Sequence, residues 1–426
     1  MTSTTLLDEA AAVLRGNDLG EYTKPSPRLY PHQWNWDSAF IAIGWAHIDW
    51  PRAVREINAL LAGQWVNGMI PHIRYNPAVT DYSPGPEWWP DVPVRRMGES
   101  TSGLSQPPVL ASAVFVVGQL QPDRSLRHAW WDRIFEPLRD GLLYFARDRT
   151  VEGSPLIVVI HPWESGLDNS PRWDFATRVG YRPTRPYRRV DTTIVDPAAR
   201  PPQRDYDLYM YLVEQLASAR YELSMFLART PFAVYDALFN AAWYRAALDL
   251  NQIAAALGRP PAVGNDDLDR FRIAYHATLW NEAVHLFRDY DLRGGVQIPV
   301  DSVAGLAAIY AGMVEGPQAA QMLDRYEARS RDCRLLPSVP PDEPGFEPAR
   351  YWRGPVWVNI NWMLVRGVER LGLREEAESL TQQTVALVQQ AGWFEYFHAY
   401  TGQGLGGANF SWTAALVIDL LRRPPS

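Results

Sequence analysis

A chain of 426 residues allows two or three domains on length alone, although toroids and barrels of this size also form one. A net charge of −7 without a long charge run excludes attraction to nucleic acid or to an acidic membrane surface, and a single cysteine, Cys333, excludes a disulfide framework or a thiolate metal site. The hydrophobic share of 47% is ordinary, but 18 tryptophans and 20 tyrosines require either a very aromatic core or an aromatic-lined cleft.

In chain order, residues 4–14 have the pattern of a short amphipathic helix, without the basic and apolar segments of a signal peptide. A proline-punctuated loop then leads into a helix through Trp45, and Pro51 opens the next at a favoured first position. Residues 67–107 are irregular and rich in Gly, Pro and aromatics, which suits the wall or lid of a site better than disorder. Helical periodicity returns over 107–120 and 126–147. The apolar run 108–117 is far too short to span a membrane, so a soluble cytoplasmic protein is expected. Residues 156–160 read as extended. After an irregular stretch to 204, helices are predicted over 205–227, 231–257, 266–280, 300–313 and 317–329. Residues 335–350 are irregular again, followed by helices over 358–371 and 374–390, an extended segment over 393–400, and a closing helix over 411–421.

That pattern is all-α, with about a dozen helices and no linker dividing them. It fits one domain over 1–426, a closed ring of paired helices whose working face is made of loops inserted at about 67–107, 162–204 and 335–350. An irregular bundle has the same periodicity.

Chemistry concentrates in W-E-S-G-L-D-N-S-P-R-W-D, residues 163–174, where Gly166 and Pro171 deny a regular element. It places Glu164 and Asp168 between Trp163 and Trp173. A flat aromatic face beside a carboxyl suits a sugar ring and the oxygen to be protonated. The alternative is an Asx turn of Asp168 with Asn169 and Ser170 over core tryptophans. His32, His72, His161 and His398 lie near motifs, but none forms an H-E-x-x-H pair, so neither metal nor cofactor is expected.

Six stretches together resemble glycoside hydrolase family 63, in particular its bacterial hydrolases of mannosylglycerate and glucosylglycerate. They are Y-P-H-Q-W-N-W-D-S-A-F (30–40), Q-W-V-N-G-M-I-P-H-I (64–73), the 163–174 stretch, D-P-A-A-R-P (196–201), Y-W-R-G-P-V-W (351–357) and S-W-T-A-A (411–415). The resemblance implies an (α/α)6 toroid that cleaves α-glycosidic bonds with inversion. It assigns Asp168 as general acid and Glu395, in W-F-E-Y-F, as general base. Arg200 and Tyr206 match the pair that holds a glycerate carboxylate, Tyr82 and Gln106 the lid, and Tyr351 and Trp352 the border of the glycerate end. Tyr30, Trp34, Trp36, Asp37, Trp163, Gly166 and Trp357 match positions around the substrate. One departure is G-G-A-N-F before S-W-T-A-A, where the family pattern has glutamine. The implied partner is a small glycoside bearing a carboxylate, and enzymes of this architecture often self-associate as homo-oligomers.

An inverting reaction needs a protonated acid and an ionised base roughly 6.5–9.5 Å apart. Tryptophans around Asp168 favour its neutral form, and Arg353 is the expected partner that keeps Glu395 ionised. Arg200 can grip a carboxylate with two parallel hydrogen bonds, and a neutral disaccharide would leave it unpaired. The competing possibilities are a loop salt bridge of Arg200 with Asp196 or Asp205, Glu164 as the acid, and N-capping by Asp37. At the level of function they are a trehalase-like α-glucosidase, a sugar 2-epimerase using His161 and His398, and a sugar-binding protein without activity.

Overall fold

The computed structural model describes residues 3–90 and 98–423; Met1, Thr2 and residues 91–97 of the expected loop wall lie outside the described residues. Burial sorts the helices into two kinds. Those apolar on every side go inside: α2 (Asn35–Ala46) buries all of its residues, and α12 (Ser411–Arg422) is buried from Ser411 to Leu420. Those with a single apolar stripe go outside, as in α3 (Trp50–Ala62), capped by Asp49, which accepts from Arg52 N.

Among the described residues, six inner helices close a ring. α2 packs on α4 (Leu110–Gln119), α4 on α6 (Ala237–Ala256), and α6 on α8 (Ala307–Ala311). The circuit continues through α10 (Val358–Arg370) to α12, which returns to α2. The outer partners are α1 (Ser3–Asn17) against α12, α3 against α2, α5 (Arg124–Asp148) against α4 and α6, and α7 (Asn265–Leu279) against α6. α9 (Gly316–Arg329) meets the 3-10 turn Val303–Leu306, and α11 (Arg374–Ala391) packs on α10. This is the (α/α)6 arrangement. The chain ends clasp the ring shut: Asn17 Nδ2 donates to Ser411 Oγ at 2.9 Å, and Ser411 N donates to Pro25 O at 2.8 Å.

Three predicted helices differ in detail. The 231–257 helix starts at Ala237, because Val234–Tyr235 pairs as a strand and Asp236 caps Phe239 N. The 205–227 helix is two, Gln203–Ser218 and Leu223–Leu227, broken where Arg220 and Tyr221 take positive φ and Tyr221 docks edge-on against Trp65. The 300–313 helix is a 3-10 turn followed by the five residues of α8. Among the described residues no helix is long and apolar enough to cross a membrane.

Candidate active site

A cavity of about 880 Å³, counting its open mouth, lies where α2 and α12 begin. Every residue that the resemblance assigns to the site except Trp357 lines it: Asp168, Glu395, Tyr30, Trp34, Trp36, Asp37, Tyr82, Gln106, Trp163, Gly166, Arg200, Tyr206, Tyr351 and Trp352. Trp357 instead stacks flat behind Trp352, centroids 3.6 Å apart, and is nearly covered itself. It stiffens the wall and touches nothing in the cavity. The start of α2 delivers Trp36 and Asp37, and Gln106 Oε1 accepts from Trp36 N at 3.1 Å. Asp37 does not occupy the N-cap position, which belongs to Trp34; it stands one turn in, aimed at the cavity. Gly166 has φ +76, and a Cβ there would come within 2.6 Å of the Trp36 ring, so only glycine lets the loop pass.

Glu395 sits on Phe394–Phe397, paired antiparallel with Gly404–Ala408. The register shifts between Phe394 and Tyr396, and the bulge turns the second strand's backbone towards the Glu395 carboxylate. Gly407 N donates to Glu395 Oε2 at 2.9 Å, and Tyr30 OH donates to Oε1 at 2.6 Å. Arg200 Nη1 stands 3.6 Å from Oε1. Burial leaves the Glu395 carboxyl above its ordinary value, and Arg200, Tyr30 and Gly407 offset only part of that rise. Arg353, the expected partner, is elsewhere. It grips Asp174 with both Nη groups, at 2.8 and 3.0 Å, and donates to Asn169 O at 3.2 Å, which clamps the loop carrying Asp168.

The G-G-A-N-F departure thus supplies a backbone donor to Glu395. Gly406 has φ +72, and a Cβ there would lie 2.4 Å from Glu395 Oε2. We expect Gly406→Ala to displace the carboxylate and lower kcat about 100-fold, the ordinary cost of a misplacement near 1 Å. Steady-state kinetics beside a thermal melt separates this loss from unfolding.

Asp168 is held by its surroundings, not by its own carboxyl. Tyr209 OH donates to Asp168 O at 2.8 Å, and Asn169 Oδ1 accepts from Trp352 N at 3.0 Å. The turn closes through Ser170 N to Leu167 O, not through the Asp168 side chain. Burial holds the Asp168 carboxyl well above its usual range; Arg200 opposes this, and the Glu395 charge adds to it. Asp37 is also raised well above its usual range by burial and by Glu395. Glu164 behaves oppositely. Its Oε2 meets Arg149 Nη2 at 2.6 Å, and Ser105 and Ile160 donate to it, so Arg149 offsets burial and the net shift is downward. It is a fully paired internal anion and does not line the cavity. Glu164→Gln, which strands Arg149, should cost about 3–5 kcal/mol of stability in denaturant unfolding while the folded fraction still turns substrate over.

Arg200 is the only cationic side chain among the described residues lining the cavity. Its partners are neither Asp196, which caps Ala198 N, nor Asp205, which faces Arg204. Nε faces Asp191 Oδ2 at 3.2 Å, Nη1 donates to Tyr30 OH at 3.1 Å, and the guanidinium lies 4.2 Å over the Tyr351 ring. A neutral ligand would therefore not leave it unpaired. Tyr206 stands edge-on to Trp163 and carries Arg189 over its ring at 3.8 Å.

Asp191, Trp412, Phe410 and His72 also line the cavity, though none was expected at the site. His72 was noted only as a histidine near a motif, Trp412 fell within S-W-T-A-A and Phe410 within the G-G-A-N-F departure; Asp191 sits in the irregular stretch to 204, where nothing in its spacing marked it. His161 is spent on Tyr209 O and Trp163 N, and His398 lies outside the cavity accepting from Tyr400 N, so the facing pair an epimerase needs is absent among the described residues.

A family model described as a mannosylglycerate hydrolase MGH1-like glycoside hydrolase domain matches residues 30–413. The chain is 40% identical to the mannosylglycerate hydrolase of Thermus thermophilus over 415 residues, 96% of this chain and 99% of that one. It is 36% identical to the glucosylglycerate hydrolase of Mycolicibacterium hassiacum over 445 residues, 99% and 98% of the two. The crystal structure of a Thermus thermophilus GH63 mannosylglycerate hydrolase with Tris and D-glycerate matches at a TM-score of 0.91 and 38% identity, covering 97% of this chain and 99% of that one. The chain belongs to the MGH1-like mannosylglycerate hydrolase family of glycoside hydrolases.

Proposed function

We propose that the protein hydrolyses α-mannosylglycerate, α-glucosylglycerate or both to the free sugar and D-glycerate, with inversion at the anomeric carbon. The observation that carries this reading is one cavity in which, among the described residues, a single guanidinium stands with two carboxyl groups in unlike surroundings, Asp168 and Glu395. Asp168, with no side-chain donor to its carboxyl among the described residues, is suited to keep a proton. Glu395, with Tyr30, Gly407 and Arg200 around it, is suited to stay charged. Glu395 takes a proton from water as the water oxygen attacks the anomeric carbon. Asp168 gives its proton to the glycosidic oxygen as the opposite bond breaks, and solvent returns the two groups to their starting states. Arg200 receives the carboxylate of the aglycone, and Tyr206 and Tyr351 flank it. The relatives' names and the D-glycerate bound by the Thermus thermophilus enzyme support this ligand class.

Incubation of the pure protein with α-mannosylglycerate, α-glucosylglycerate, trehalose and maltose tests the substrate. Turnover of either glycerate glycoside, with the neutral disaccharides slow or inert, is the expected outcome. Turnover of trehalose or maltose alone would replace this reading with a neutral α-glucosidase.

A further inference from the structure

Arg200 stands next to the group proposed as the base, and this matters because the same guanidinium must meet the substrate's carboxylate. Among the described residues the cavity is lined by four acidic side chains, Asp37, Asp168, Asp191 and Glu395, against this one cation. An incoming carboxylate has no other positive partner there. A planar carboxylate that meets a guanidinium with two parallel bonds uses an edge containing either Nε or Nη1. Nε is engaged by Asp191 at 3.2 Å, and Nη1 by Tyr30 at 3.1 Å and Glu395 at 3.6 Å. Asp191 is also held by Arg189, at 3.1 and 2.7 Å, which anchors the Nε edge. The Nη1 edge is the one that yields.

We infer, on the reading given under Proposed function, that the substrate's carboxylate draws Nη1 of Arg200 away from Glu395 and thereby converts a charge-paired resting carboxylate into the working base. A carboxylate whose positive partner is shared with a second anion holds a proton more strongly, and a stronger base removes a proton from water faster. Selectivity for an acidic aglycone then appears in kcat as well as in KM, because a neutral glycoside leaves Glu395 paired.

An α-glycosyl fluoride separates the two effects. Fluoride departs as the anion without needing the Asp168 proton, leaves no aglycone behind, and lets free D-glycerate occupy the far end of the cavity. With α-mannosyl and α-glucosyl fluoride, added D-glycerate should raise kcat about fivefold or more, the low end of ordinary coupling between two sites. Glycerol, of similar size and uncharged, should not, and Arg200→Gln should abolish the activation. Glycerate that inhibits or changes nothing, glycerol that activates equally, activation that survives Arg200→Gln, or fluoride that is not turned over even with glycerate would each overturn the inference. Turnover of α-mannosylglycerate and α-glucosylglycerate by the same preparation decides the substrate reading separately.

Discussion

Asp168→Asn should lower kcat on α-mannosylglycerate by about 10²–10⁴-fold, the usual contribution of a positioned general acid, and should spare an α-glycosyl fluoride by comparison. A fluoride needs no protonation to leave, so only the glycerate glycoside registers the missing proton. Glu395→Gln should abolish both, since water must lose a proton in either reaction. The pH profile adds a second signature. Activity rises as Glu395 ionises and falls as Asp168 does. Burial holds Asp168 well above the usual carboxylate range, so the falling limb belongs at higher pH than an exposed aspartate would give. Residual activity of Asp168→Asn should lack that falling limb. Equal loss on fluoride and glycoside in Asp168→Asn would remove the acid assignment.

Arg200→Ala should cost about 2–5 kcal/mol in transition-state binding of the glycerate glycosides, as truncation of one partner in a buried hydrogen-bonded charge pair does. That corresponds to roughly 30- to 5000-fold in kcat/KM. The protein should also lose stability, because among the described residues Asp191 keeps only Arg189 as a cationic partner and Glu395 keeps none. A fluoride without glycerate has no carboxylate to lose, and Glu395 is already unpaired in the variant, so its turnover per folded molecule should not fall. Equal losses on both substrates would mean that Arg200 only supports the fold.

The ring of helices was legible in the alternation of helices with long loops and in the order of the six motifs, whereas the division into inner and outer helices, such as the fully buried α2 and the striped α3, emerges only from their packing. Boundaries failed where tertiary packing overrode periodicity. Tyr221 docks on Trp65 and breaks one predicted helix, and Val234–Tyr235 pairs into a strand where a helix was expected to start. Motif order brought Asp168, Glu395 and the tryptophans to one cavity. It could not show which way a side chain leaves its loop. Arg353 lies in a motif with Tyr351 and Trp352, yet the chain turns it towards Asp174. Trp357 shares that motif and faces away, behind Trp352. Asp191 and the Gly407 amide escaped notice for different reasons. The first becomes a partner of Arg200 only through the folding of an irregular stretch, and the second acts through its backbone, which no residue type advertises.

Proton NMR of the first sugar released from α-mannosylglycerate or α-glucosylglycerate is the most direct test of two carboxyl groups acting as separate acid and base. The β-anomer should appear first and then mutarotate to the equilibrium mixture, with D-glycerate formed in equal amount. First release of the α-anomer would mean retention, and with it a covalent intermediate that this division of labour between Asp168 and Glu395 does not permit.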